Sequence, residues 1–228
     1  MKRNFCLMIS MFLFCGCLCG QYKSIIAPAG TKIIESFPPS VRYLYPKFIE
    51  GQVVLQNGLI STCMINYNML HDDMDIIQDN DTLRILRKRE LKYAIVENDT
   101  FIYAQGYMKH IYGDKLKIYC KDRIYLKEIL KRGAMGAVNR SGAIASYSDF
   151  EAQGIPYDLI VPEDMVFKRE VSYHIATSRG TYELFKKKNI LKLFSHHKSE
   201  VKKYIKDNKT NFDRQEDVIK LADFLSKL

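Results

Sequence analysis

The sequence predicts a mainly β protein, an antiparallel sandwich, roll or small barrel, followed by a C-terminal bundle of short α-helices. Three observations carry this. Turn signals recur at close, regular spacing between short runs rich in β-branched and aromatic residues. Tyr is abundant, at 15, while Trp is absent, and with many Val and Ile this suits a pleated, half-buried surface. Beyond residue 184 the apolar spacing changes from two to the three and four of a helix.

The elements follow in order. Gln21 to Ser40 holds Pro28, Gly30, Pro38 and Pro39 with little periodicity, so 21–40 reads as a tether, with one short strand at Lys32 to Ser36. The stretch from Tyr43 to Ile77 organises the β domain, 41–184. Gly51 to Leu55 and Ile60 to Tyr67 flank Asn57-Gly58, a hairpin signal that calls for positive φ at both central residues. Met74 to Ile77, Leu83 to Leu86, Lys92 to Val96 and Thr100 to Ala104 read as strands. Tyr107 to Tyr112 and Lys115 to Cys120 form a hairpin around Gly113-Asp114. Ile124 to Leu130 fits a strand or a short helix. From 133 to 154, Gly, Ser and Ala replace the apolar pattern, which reads as a long loop. Tyr157 to Val161, Met165 to Lys168, Val171 to Thr177 and Thr181 to Leu184 return to β character.

Residues 185–228 read as a basic helical segment. Ile190, Leu191 and Phe194 share one helical face, as do Val201, Tyr204 and Ile205. In the last helix Asp213 reads as the cap, Glu216 completes a capping box, and Val218, Leu221, Ala222 and Leu225 form the apolar face. Ser195 reads as a cap for the helix that follows it.

At the other end, Met1 to Asn4 is a basic head, Phe5 to Phe14 an apolar run, and Gly16 to Gly20 a zone of small residues. This is the layout of a signal peptide over 1–20. The run is shorter than the ~20 apolar residues a spanning helix needs. Phe14-Cys15-Gly16-Cys17 resembles a degenerate lipobox, which makes Cys17 a candidate lipidation site. Cleavage by an ordinary signal peptidase near Gly20-Gln21 is the alternative. Export to a periplasm or outer membrane, free or lipid-anchored, is the expected localisation.

The formal net charge is +9, and its excess lies at the C-terminal end. Nine lysines between Lys186 and Lys209 face only Glu200 and Asp207. Such a block suits an anionic lipid or polysaccharide surface, with Lys202, Lys203 and Lys206 as candidate contacts, or it solvates helices that pack inward. Nucleic acid is disfavoured, since the lysines lack arginine and interleaved aromatics. Of the cysteines, only Cys63 and Cys120 lie beyond the leader. Both alternate with apolar residues, and they read as two core thiols or as a candidate disulfide.

Chemistry is sparse. The densest acidic cluster is His71-Asp72-Asp73 with Asp75, Asp79 and Asp81. It fails as a calcium loop because Leu83 and Arg84 occupy ligand and glycine positions. His196-His197 are adjacent and make a poor metal pair. His110 and His174 sit in strands among apolar neighbours. No nucleotide, hydrolase or zinc motif is present, and no cofactor is expected.

The succession Tyr43-Leu44-Tyr45-Pro46, Asn57-Gly58, Asn66-Tyr67-Asn68, Asp73-Met74, Glu170-Val171-Ser172-Tyr173 and Lys188-Asn189 to Phe194 resembles an uncharacterised exported family widespread in Bacteroidetes. The resemblance covers most of the chain beyond the leader, and its motifs are structural rather than catalytic. Such proteins often carry Pro after the Phe, where this chain has Ser195. The resemblance implies a Gram-negative envelope protein. Asp81-Thr82-Leu83 also resembles the Asp-Thr-aliphatic O-glycosylation motif of Bacteroidetes, which marks Thr82 as a candidate sugar-bearing residue.

The reading that results is a non-enzymatic exported envelope protein, a binding or accessory module. Its partners would be other envelope proteins or an anionic surface. The alternatives are an envelope hydrolase acting on glycan or peptide, and a basic-tail binder of anionic lipid or polysaccharide.

Overall fold

The computed structural model describes residues 24–85, 87–132, 138–139 and 159–228. Residues 1–20, read as a signal peptide and holding Cys17, lie outside them, as does all of the stretch 133–154 read as a loop except 138–139. The chain runs β1 (Ile25–Ala27), α1 (Ile33–Ser36), α2 (Pro39–Arg42), β2 (Ile49–Leu55), β3 (Ile60–Asn68), β4 (Asp73–Gln78), β5 (Asp81–Arg84), β6 (Leu91–Val96), β7 (Asp99–Tyr103), β8 (Tyr107–Tyr112), β9 (Ile118–Arg132), β10 (Val138–Asn139), β11 (Asp164–Ala176) and β12 (Tyr182–Leu184). Then come α3 (Lys187–Leu193), α4 (Lys198–Asp207) and α5 (Gln215–Leu225).

The strands form one antiparallel series in the order β1-β11-β9-β8-β7-β6-β2-β3-β4-β5, with β10 on β9 and β12 on β11. The two ends of the series, β1 and β5, do not pair, so the sheet is not closed into a barrel.

The region expected as a tether is built into the fold from Ile25 onward. β1 pairs with β11. The expected strand at 32–36 is instead the helical turn α1, and Ala27, Ile33 and Phe37 are fully buried. Proline spacing concealed this: Pro39 opens α2, where a missing N–H costs nothing. Ile124 to Leu130 belongs to one 15-residue strand, β9, and the two strands read over 165–177 are one 13-residue strand, β11. Of the strand read at 157–161, residues 157–158 lie outside the described residues, and Ile160 makes only an isolated bridge to Lys32.

The turns differ from expectation in an instructive way. At Asn57-Gly58 only Gly58 has positive φ (86°), and Leu55 and Leu59 close a three-residue loop with an N–H···O bond of 2.9 Å. The two-residue turn with both φ positive lies instead at Asp79-Asn80 (51° and 68°), between the paired Gln78 and Asp81. The expected capping box on α5 does not form. Its N-cap is Arg214, while Asp213 binds Lys186 at 2.6 Å, and Asp217 accepts from the Asn211 backbone at 3.0 Å. Ser195 does not cap α4, which starts from His197 after a 3₁₀ turn.

Two cores share one face of the β9–β11 ribbon. From its middle to one end lie Ile124, Leu126, Ile129, Met165 and Phe167, packed in a core with Phe37, Ile65, Tyr67, Met74, Phe101 and Tyr107. A bulge at Val166/Phe167 keeps Ile129 on that face. At its other end Ile118, Cys120, Tyr173 and Ile175 lie under Ile190, Val201, Ile205, Val218 and Leu221. The helices bury their stripes there because none can do so alone.

Candidate functional site

Between the two cores the same ribbon face becomes polar. Asp122 stands opposite Val171, and Ile124 opposite Arg169. Arg169 grips Asp122 through Nε at 2.7 Å and Nη2 at 2.6 Å, the two-pronged geometry that guanidinium favours. Above this seam opens a cavity of about 550 Å³. Tyr67, Phe101, Tyr107, Lys109, Cys120, Asp122, Val171 and Tyr173 line its sheet side, and the start of α5, from Asp213 to Glu216 with Ile219, lines the other. A volume of that size suits a small-molecule ligand.

The inner wall exists because the sheet curls. The β3–β4 connection swings across to β8 and β9, where the Ile124 N–H donates to the Met69 carbonyl at 2.7 Å. Asp72 joins three strands there. Its carboxylate accepts from the Tyr67 hydroxyl and the Tyr107 N–H, both at 2.9 Å, and pairs with Lys121 at 3.0 Å. Gly106 sits beside it at φ 92°, and a Cβ there would strike both the Asp72 carboxylate and the Lys121 ammonium. Tyr67 is thereby set against Phe101 and Tyr107, with ring centroids 5.7 and 6.2 Å away.

Two polar features of the lining stand out. Tyr107 is 1% exposed, and its hydroxyl has no hydrogen-bond partner among the described residues. Burial, and then the carboxylate of Asp73, hold that phenol well above its ordinary range, so it remains a proton donor. Lys109 reaches Asp99 at 3.2 Å, and Asp99 also accepts from the Tyr45 hydroxyl at 2.6 Å. The Cys120 thiol is pushed up to about 12, first by burial and then by Asp122, and is inert as a nucleophile at neutral pH.

The sites expected from sequence fall elsewhere. Cys63 on β3 and Cys120 on β9 are both free thiols, and no disulfide joins them. Thr82 is exposed on the edge strand β5, just after the Asp79-Asn80 turn rather than within it. Lys202, Lys203 and Lys206 are exposed on α4, without an ion pair among the described residues. In the acidic cluster, Asp75 is fully buried and accepts from the Tyr43 hydroxyl (2.9 Å) and the Asn68 amide (2.8 Å). Asp73 pairs with Lys88 at 2.7 Å, although burial still raises its carboxyl above the usual range. These carboxylates hold the hairpin to its neighbours. Among the described residues no group of three or more His, Cys, Asp or Glu could hold a metal ion.

Sequence reading missed the seam. Its signal was one residue per strand: Asp122 in the apolar alternation Ile118, Cys120, Ile124, Leu126, and Arg169 in that of β11. It also missed a Ser172–His174 pair, with Oγ 3.1 Å from Nε2. The other ring nitrogen of His174 meets no carboxylate and has no partner among the described residues, so the pair lacks the orienting group a triad needs. Burial, then Lys121, lowers the His174 pKa, which keeps the ring neutral.

No family model, no curated protein and no solved structure matches this chain.

Proposed function

We propose that this protein is a non-enzymatic binding module of the bacterial envelope, and that its ligand enters the cleft at the seam between the two cores. The observation that carries the reading is the cleft itself, about 550 Å³ and walled by aromatic side chains with a few placed polar groups. Export rests on the leader pattern of residues 1–20. The carboxylates of the acidic cluster are occupied in holding the β3–β4 hairpin, which favours binding over hydrolysis. The sheet is read as a roll, on the strength of the bond from Ile124 to Met69 that draws β3–β4 over β9.

Two measurements test this. Wild-type protein should enhance the emission of the uncharged probe N-phenylnaphthylamine, and Val171→Trp, which fills the cleft, should abolish the effect while the circular dichroism spectrum is kept. Equal enhancement by both proteins removes the cleft from the function. Intact mass of the envelope-fraction protein should show loss of at least the first sixteen residues. A full-length mature chain ends the export reading.

A second reading rests on the exposed lysines of α3 and α4. If Lys202, Lys203 and Lys206 meet an anionic surface, binding to phosphatidylglycerol vesicles should fall steeply as salt rises, since the Debye length is about 8 Å at physiological strength. Salt-independent or absent binding ends it.

A further inference from the structure

One end of the sheet has an uncharged apolar tip with positive charge packed beside it. No Asp, Glu, Lys, Arg or His occurs from Gly51 to Leu70, which includes the turn of the β2–β3 hairpin and all of β3. At that turn Leu59 and Ile60 are each 62% exposed. Single exposed apolar residues are ordinary, but two in succession on a projecting turn form a patch. The turn projects because β4 pairs with β3 only from Met64 onward. Ile60 to Cys63 therefore have no strand on the side away from β2 among the described residues.

The positive charge is tied to this turn by hydrogen bonds. The Gln56 N–H donates to the Glu90 carbonyl at 2.8 Å, and the Gln56 side-chain amide donates to the Leu91 carbonyl at 3.2 Å. The segment ahead of β6 is thereby held against the hairpin. There Arg87, Lys88 and Arg89, with Glu90 and Tyr103, line an open cavity of about 280 Å³. Lys88 is held by the buried Asp73, whereas Arg87 meets Glu90 only in an exposed pair at 3.5 Å, which stabilises little. Arg89 and Lys92 are exposed and have no ion pair among the described residues. The Lys92 ammonium lies 6.0 Å from the Tyr93 ring centroid, and Tyr93 and Ile60 flank Val54 on one face of the sheet.

We propose that this end of the sheet docks on an anionic phospholipid bilayer. Leu59 and Ile60 enter the boundary between headgroups and acyl chains, and Arg87, Arg89 and Lys92 take the lipid phosphates. Apolar side chains that insert, ringed by cations and a tyrosine at headgroup level, gain from both burial and the negative surface potential. A charged tip would oppose entry, and this one has no charge. The site is separate from the cleft and from the lysines of α4, and it does not rest on the reading of either.

The test uses the chain from Gln21 to Leu228, which holds every residue of the fold described. Co-sedimentation with equimolar phosphatidylglycerol and phosphatidylcholine vesicles should show binding, about tenfold or more weaker on phosphatidylcholine alone. Leu59→Ser and Ile60→Ser should each weaken binding about tenfold through lost apolar burial. Arg89→Ala and Lys92→Ala should each weaken it about fivefold, the loss of one cation near an anionic surface. All four side chains are exposed, so the thermal midpoint should not move. The chain has no Trp, so Leu59→Trp reports on the tip alone. Its emission should shift to the blue on vesicles and be quenched by brominated lipid.

Absence of vesicle binding overturns the proposal, as does bound protein whose introduced tryptophan keeps its aqueous emission. Binding that ignores the tip variants but is lost on reversing Lys202 and Lys203 to Glu assigns the surface to α4 instead. A dimer of the vesicle-free chain that Leu59→Ser breaks would show that a second copy covers the tip, and would overturn the lipid assignment. Binding of sn-glycerol 3-phosphate that removes the protein from vesicles, and is lost in Arg89→Ala, would assign the basic cavity to a soluble phosphate.

Discussion

The acidic run from His71 to Asp81 and the lysine run from Lys186 to Lys209 are both dense in charge, yet the fold uses them in opposite ways. Asp73 and Asp75 are 3% and 0% exposed, and Asp72 ties three strands together. The lysines from Lys186 to Lys209 all stay in solvent, and of these only Lys186 has an ion pair, with Asp213, among the described residues. A carboxylate is short and acceptor-only, so a sheet can surround it with hydroxyl, amide and ammonium donors. A lysine carries its charge on a long stem, which can lie along a helix while the ammonium remains hydrated. Charge density along a sequence therefore does not foretell burial. The donors that happen to be opposite decide it.

The comparison can be broken at its strongest point first. Beneath the lysines, Leu221 is fully buried among Val201, Val218 and Ile190. Leu221→Ala should cost about 2–5 kcal/mol in urea unfolding. A cost near zero would mean that the helices do not hold to the sheet through this core. On the acidic side, Asp75→Ala removes the acceptor shared by Tyr43 and Asn68 and should cost about 2–3 kcal/mol. A neutral outcome would show that these donors find other partners.

A pH series sharpens the contrast further. His174 is buried beside Lys121 and Arg123, with Glu170 the one opposing charge, and its folded pKa lies below the ordinary 6.5. The unfolded chain therefore takes up a proton that the folded chain refuses. Stability should fall as pH drops from about 6.5 toward the lower folded value, and this group should add no further loss below it. His174→Gln should flatten that part of the curve, and an unchanged slope would assign it to other groups.

The smallest effect is expected from the lysines themselves. Reversing Lys202 and Lys203 to Glu should leave the thermal midpoint where it is, because both ammonium groups are exposed and unpaired among the described residues. A clear drop would show that the lysine face contributes to folding after all.

Much of the strand content could be read from alternation and turn chemistry. β2 to β4, β6 to β8 and the three C-terminal helices fall close to where the spacing of apolar residues places them. Local patterns failed where a long-range partner supplied the stability. The segment 25–42 looked like a tether because its prolines and glycine break periodicity, but Ile25 to Ala27 needs only β11 to become a strand. The same holds for Asp213, whose carboxylate was free to cap α5 until Lys186 came within 2.6 Å.

By itself the sequence determined the chemistry available to this protein. It set a β-rich body, amphipathic helices with a basic outer face, two thiols beyond residue 20 and the absence of any local catalytic signature. Only the tertiary structure decided that one strand ribbon would serve two cores. With that came the seam between them, where Asp122 and Arg169 meet across strands 47 residues apart in sequence. A cleft is made by what does not fill the space between packed elements. Strand spacing, sheet curl and helix placement set that space together, and no single stretch of chain encodes it.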